Sequence, residues 1–122
     1  MKFCTAINCM DGRVQLPVIT YLKERFEADY VDSITEPGPN LVLAEKSNKT
    51  LVESIISRVQ ISVEKHKSVG IAIVAHYDCA GNPSGRKEQL VHLEDSVESL
   101  RQYFDIPVIA LGVDENWKVN EM

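Results

Sequence analysis

Several features that would assign a protein class at once are missing from this sequence. It has no apolar run approaching the length that spans a bilayer, and no internal repeat or low-complexity stretch. Its net charge at pH 7 is -5 and its basic residues are scattered, which argues against a nucleic-acid surface. We therefore expect a soluble protein with neither a membrane nor a nucleic acid as its partner.

Cysteine is also scarce, with three residues in a chain of 122. An odd number argues against a disulfide framework, and the lack of a Cys-x-x-Cys pair excludes a thioredoxin-like redox site. The first residues, Met-Lys-Phe-Cys-Thr-Ala-Ile-Asn-Cys, show no secretory signal, which favours the cytoplasm. Cys4 lies within an apolar run, where we expect a buried and inert thiol.

The residues that are present have the composition of an ordinary globular domain, 44% hydrophobic and 25% charged. This length suits one domain, 1–122, with a core of its own. Apolar runs predict strands at residues 3–8, 30–34, 69–75 and 107–112. Apolar residues spaced by three or four positions predict helices at residues 16–26, 50–67 and 90–104. The third strand is nearly all apolar, as expected for a central strand that is buried on both faces.

This alternation predicts an α/β fold, an open parallel sheet of about four strands with helices on both faces. The order 2-1-3-4 would place a reversal between strands 1 and 3, where open sheets bind ligands. Local signals add detail: Pro17 suits a first helical turn, residues 50–53 suit a capping box, and residues 36–40 predict a loop. The tail, residues 113–122, suits either an edge strand or a cover for a subunit surface.

Two short clusters carry the candidate chemistry, and each follows a predicted strand. The first is Cys-Met-Asp-Gly-Arg at residues 9–13, and the second is His-Tyr-Asp-Cys at residues 76–79. If strands 1 and 3 are neighbours, Cys9, His76 and Cys79 converge, and this is the ligand set of a catalytic zinc ion. A cysteine-phosphatase loop is excluded, because the sixth residue after each cluster cysteine is glutamine or glycine and not arginine.

The clusters resemble the two signatures of the β-class carbonic anhydrases, Cys-x-Asp-x-Arg and His-x-x-Cys, which lie at the ends of adjacent strands. The resemblance implies that Cys9, His76 and Cys79 hold Zn2+ and that Asp11 and Arg13 form a dyad beside it. It also implies a zinc lyase that reversibly hydrates carbon dioxide to bicarbonate by metal-bound hydroxide. In some members of the family this aspartate moves onto zinc, which makes Asp11 a candidate fourth ligand in a closed state.

Three functional alternatives stay open. The first is hydration of carbon dioxide, the second is hydrolysis of carbonyl sulfide or carbon disulfide at the same zinc, and the third is zinc binding without turnover. The third alternative is favoured by residues 35–40, Thr-Glu-Pro-Gly-Pro-Asn, because the family usually carries Arg-Asn-Ala-Gly there. The expected partners are a small-molecule substrate and, by the family resemblance, other copies of the chain in a homodimer or larger homo-oligomer.

Other features near the clusters have two interpretations each. Residues 79–86 resemble an anion-binding turn that leads into a helix and would suit bicarbonate, or they form a simple turn in which Arg86 is solvated. His66 and His92 are candidate proton shuttles, because histidine is the residue type that commonly exchanges protons near physiological pH. Both lie on predicted helices among charged neighbours, which also suits surface histidines with no task.

Overall fold

The computed structural model describes residues 1–122, and strands alternate with helices along the chain. The elements in order are β1 (Phe3–Asn8), α1 (Gly12–Arg25), β2 (Tyr30–Thr35), α2 (Pro39–Glu45), α3 (Lys49–Lys65), β3 (Ile71–His76), α4 (Arg86–Arg101), β4 (Val108–Val113) and β5 (Val119–Glu121). No helix combines the length and the apolar composition that a membrane crossing requires.

The five strands form one sheet in the order β2-β1-β3-β4-β5. Strands β1 to β4 are parallel, with Ile7 opposite Ile73 where β1 meets β3, which confirms the predicted order 2-1-3-4. The tail forms the edge strand β5, antiparallel to β4, with Val119 opposite Val113. The sheet is therefore mixed, and of the two interpretations of the tail the structure supports the edge strand.

Two apolar layers cover the sheet, one on each face. On one face α1 packs Val14, Val18 and Leu22 against the strands, and all three side chains are fully buried. On the other face α2, α3 and α4 contribute a larger cluster. Burial of one such aliphatic side chain is worth about 1.5–3 kcal/mol relative to exposure. The prediction of helices on both faces is confirmed, and β3, buried at all its positions, is the central strand.

Helix α1 begins at Gly12 and not at residue 16 as the apolar spacing predicted. The reason is a cap: the Asp11 carboxylate accepts the backbone N–H of Arg13 at 2.9 Å, which satisfies a donor that the first turn would otherwise leave free. Pro17 consequently lies inside the helix. Its assignment to the first turn is wrong.

Two corrections concern the segment between β2 and β3. Regular structure resumes at Pro39 with the short helix α2, which the sequence did not predict, because the fixed φ of proline suits a first helical position. The capping box predicted at residues 50–53 is wrong. Asn48 caps α3 instead, since its side chain accepts the backbone N–H of Leu51 at 3.1 Å and asparagine is a favoured N-cap.

Candidate metal centre

Cys9, His76 and Cys79 meet at the carboxyl edge of the sheet. One donor atom from each residue lies within 4.8 Å of the other two, and the two Sγ atoms are 3.9 Å apart. Two thiolates at about 2.3 Å from a tetrahedral zinc ion are separated by about 3.8 Å, so the spacing suits this ion. All three side chains are buried. The convergence predicted from sequence is present.

The strand order explains why these residues meet. Cys9 follows the last residue of β1, His76 ends β3, and Cys79 lies three residues further on. The chain leaves β1 toward β2 on one side and leaves β3 toward β4 on the other. The crevice between the two departing loops is the topological switch point at which open α/β sheets bind ligands.

The imidazole of His76 is oriented for metal binding. Its Nδ1 lies 2.7 Å from the backbone carbonyl oxygen of Tyr77, so Nδ1 carries the proton and donates it to that carbonyl. Nε2 is then an acceptor, and it is buried with no hydrogen-bond partner. A buried acceptor without a partner is costly, whereas a metal ligand needs this lone pair. The donor set therefore fits a divalent ion that favours sulfur and nitrogen, zinc above all.

Amide side chains brace the backbone on both sides of the site, and sequence reasoning missed this role. Gln15 on α1 donates to the carbonyl oxygens of Cys9 at 2.7 Å and Asp11 at 2.8 Å. Gln89 on α4 is buried and donates to the carbonyl oxygen of His76 at 3.1 Å. Gln89 precedes the helix predicted at residues 90–104, and it joins the helix only because α4 begins at Arg86, so the sequence carried no signal for its role.

Asp11 and Arg13 form a two-pronged ion pair next to the ligand cluster. Arg13 Nη2 lies 2.7 Å from Asp11 Oδ2, and Arg13 Nε lies 3.0 Å from Asp11 Oδ1. Hydrogen bonds from the Arg13 side chain and backbone lower the pKa of Asp11 to about 2, and the same pairing raises the pKa of Arg13. The Asp11 carboxylate is thus held ionised by Arg13 and lies outside the group of mutually close donor atoms.

Two further residues touch Arg13, and neither contact was predictable from a sequence motif. Asp78 accepts from Arg13 twice, through its carboxylate at 3.3 Å and its backbone carbonyl at 3.1 Å. The Arg13 guanidinium carbon also lies 4.4 Å from the centre of the Trp117 ring. The arginine is therefore surrounded by two carboxylates and one aromatic face.

The loop that carries Cys79 packs tightly against the loop that follows β2. Gly38 has φ +55, and a Cβ there would lie 2.6 Å from the backbone carbon of Gly81. A Cβ at Gly81 would lie 2.4 Å from the backbone carbon of Pro37. Side chains at these two positions are excluded, so the backbone contact depends on glycine in both loops.

The predicted anion-binding turn and the two candidate proton shuttles, His66 and His92, lie in different parts of the fold. Helix α4 begins at Arg86 without a side-chain cap, and Arg86 is exposed, so neither interpretation of the turn at 79–86 is decided. His92 contacts Asn82 at 3.0 Å. His66 pairs with Asp32 at 2.6 Å and stacks on Phe3 at the start of β1, which is the end of the sheet away from the cluster.

An open cavity of about 480 Å³ adjoins the cluster. Its walls include the ends of β3 and β4, the first turns of α4 and the tail. Its lining includes three residues of the second sequence cluster, His76, Tyr77 and Asp78, together with Gln89 and Val113. The volume is in the range of small-molecule sites.

Fold and donor set together define an α/β protein with a Cys-His-Cys site, able to hold a metal ion, at a topological switch point. A family model described as "Putative carbonic anhydrase" matches residues 1–122, and the chain belongs to that family. The crystal structure of the β-carbonic anhydrase CafA of the fungal pathogen Aspergillus fumigatus has a similar fold, with a TM-score of 0.62 and 11% sequence identity. The match covers 99% of this chain and 74% of that one. No protein of curated function matches the chain in sequence.

Proposed function

We propose that the chain binds one Zn2+ through Cys9, His76 and Cys79 and catalyses the reversible hydration of carbon dioxide to bicarbonate. The observation that carries the proposal is the convergence of two buried thiols with a buried imidazole nitrogen that has no hydrogen-bond partner. Membership of a carbonic anhydrase family supports the reaction class, and the donor set supports zinc.

Zinc bound at this site supplies a Lewis acid that lowers the pKa of water toward neutrality. The protein's own contribution is to position the reactants. Asp11 stays ionised at physiological pH and can accept a hydrogen bond from the attacking water, while Arg13 fixes the direction of that carboxylate through two parallel hydrogen bonds. If Arg13 releases it, Asp11 is the candidate fourth ligand of a closed state.

Two alternatives use the same zinc site. A pocket for a small linear electrophile also admits carbonyl sulfide or carbon disulfide, so a sulfur isologue is the second candidate substrate. The third candidate is zinc binding without turnover. In its favour, the loop after β2 differs from the Arg-Asn-Ala-Gly segment that the family usually carries there. Glu36 in this loop forms an ion pair with Arg58 on α3.

Self-association and location are parts of the same proposal. Met10 and Tyr77 directly follow two of the ligands and are 63% and 55% exposed, and Leu16 nearby on α1 is 72% exposed. Exposed apolar side chains around a site favour burial against another copy in a homodimer or larger assembly. The three free thiols favour a reducing compartment, the cytoplasm.

The test is stopped-flow hydration of carbon dioxide by the zinc-reconstituted chain. We expect activity in the wild type and in Cys4→Ala, which removes a thiol outside the site, and none in Cys79→Ser. Sulfide release from carbonyl sulfide without carbon dioxide hydration would support the second alternative. Bound zinc without either activity would support the third, and a fully active Cys79→Ser variant would contradict the proposed ligand set.

A further inference from the structure

The turn between β4 and β5 is built to present Trp117, the one tryptophan of the chain. The carboxylate of Asp114 accepts the backbone N–H groups of Asn116 at 2.9 Å and Lys118 at 3.0 Å. These bonds lower the pKa of Asp114, so the turn is stabilised at neutral pH. Trp117 itself has φ +59, a backbone conformation that is unusual for a bulky residue and that often marks a functional constraint.

The strand after this turn is tied to the helix that carries Arg13. Glu121 on β5 accepts from Arg25 at 2.7 Å and from the Tyr21 hydroxyl at 3.4 Å, and both partners lie on α1. The relative position of Trp117 and Arg13 is thus fixed at two points: by strand pairing of the hairpin and by this anchor on α1.

The indole ring faces the guanidinium and lies near the metal ligands. Arg13 is 4.4 Å from the ring centre, and the His76 and Tyr77 rings are 6.4 Å and 6.5 Å away. The Arg13 side chain is 45% exposed, so solvent competes for its donors. An aromatic face restrains a guanidinium through its π electrons and leaves the in-plane N–H groups free for a carboxylate.

We propose that Trp117 is a positioning residue: its ring holds the Arg13 guanidinium against Asp11 and thereby keeps the Asp11 carboxylate away from the metal ligands. This inference rests on the proposed zinc function, which it extends to a residue outside both sequence clusters. Without the ring, Arg13 gains freedom to turn toward solvent or Asp78, and Asp11 becomes available as an additional metal ligand.

The first experiment uses the apo-protein, in which Trp117 is its own fluorescent reporter. We expect Arg13→Ala to shift the emission to longer wavelength and to increase quenching by acrylamide, because the ring loses its cover. Arg101→Ala is the matched control, since Arg101 bonds the carbonyl of Val108 at the other end of β4. Identical spectra for Arg13→Ala and the wild type would overturn the inference.

The second experiment measures the affinity for Co2+, whose visible absorption also reports the ligands. A ring that holds Arg13 with the strength of an exposed cation–π contact predicts an affinity about two- to fivefold higher in Trp117→Ala, with a shifted spectrum, because Asp11 joins the ligands. Trp117→Phe keeps an aromatic face and should resemble the wild type. Tyr103→Ala, which removes an exposed aromatic residue beyond α4, is the control.

The route of the effect is tested by combining variants. In an Arg13→Ala or Asp11→Asn background, Trp117→Ala should change neither the Co2+ affinity nor the spectrum further. An unchanged effect in both backgrounds, or no effect in the wild type, would overturn the positioning role. A wild-type chain that takes up no Co2+ or Zn2+ would instead overturn the proposed function and with it the role toward a metal, while the fluorescence would still show whether Trp117 holds Arg13.

Discussion

The Sγ atoms of Cys9 and Cys79 lie 3.9 Å apart, although 70 positions separate the two residues. Thiols this close can join once no metal holds them. We predict that the apo-protein treated with a small-molecule disulfide forms a Cys9–Cys79 bridge, losing two protons and two electrons to the reagent. Peptide mapping by mass spectrometry identifies the linked residues. Zinc should protect the pair, Cys4→Ala should form the bridge equally well, and a bridge that involves Cys4 would contradict the geometry.

Arg13→Lys tests whether the two-pronged contact with Asp11 matters for the reaction. Lysine keeps the positive charge but cannot form both parallel hydrogen bonds. Loss of a residue that orients a group beside a metal typically costs about 10- to 100-fold in activity, and we expect this loss in carbon dioxide hydration with the zinc content unchanged. Arg101→Lys is the control. Full activity of Arg13→Lys would show that the orientation of Asp11 is not needed.

Gly81→Ala tests the backbone contact that positions the Cys79 loop. A Cβ at 2.4 Å from the Pro37 backbone forces one loop to shift, and overpacking of this kind costs about 1–3 kcal/mol in the free energy of unfolding. Urea denaturation measures the loss. Gly12→Ala is the matched control because a Cβ there meets no atom within 4 Å. Equal stability of the two variants would contradict the tight contact between the loops.

The buried thiol of Cys4 should make the stability of the chain depend on pH in the alkaline range. Burial, and secondarily the charge of Asp32, raise the pKa of this thiol from 9.0 to about 11. The folded chain therefore keeps the proton that the unfolded chain loses, and stability falls as the pH rises from 9 toward 11. The loss is on the order of 2 kcal/mol. Urea denaturation at both ends of this window should show a smaller loss in Cys4→Ala; an equal loss would contradict this origin.

The sequence predicted β1, β3 and β4 well because apolar runs coincide with these strands, and β3 is buried at all its positions. Strand β2 is more exposed and has one buried residue, Ile34. Apart from the short helix α2, which was not predicted, the errors lie at helix ends. There, a single side-chain cap decides the boundary: Asp11 starts α1 and Asn48 starts α3, and in both cases an apolar or Thr-based pattern pointed a few residues further on. The sequence pattern does not show which of several neighbouring residues will cap a helix. In the folded chain one of them does.

The candidate site was predictable to the same extent as its strands. Because β1 and β3 are neighbours, the residues at their ends, Cys9, His76 and Cys79, come together. The contact of Trp117 with Arg13 was not predictable, because it depends on a turn with an unusual backbone angle and on the packing of β5. The tautomer of His76 likewise depends on a carbonyl whose position only the folded backbone determines.

The most direct test of the account is the zinc content of the purified chain after reconstitution and dialysis, measured by plasma mass spectrometry. We predict one zinc ion per chain for the wild type and for Cys4→Ala, and none retained by His76→Ala or Cys79→Ser. A wild-type chain that retains no zinc, or ligand variants that retain as much as the wild type, would contradict the proposed metal centre.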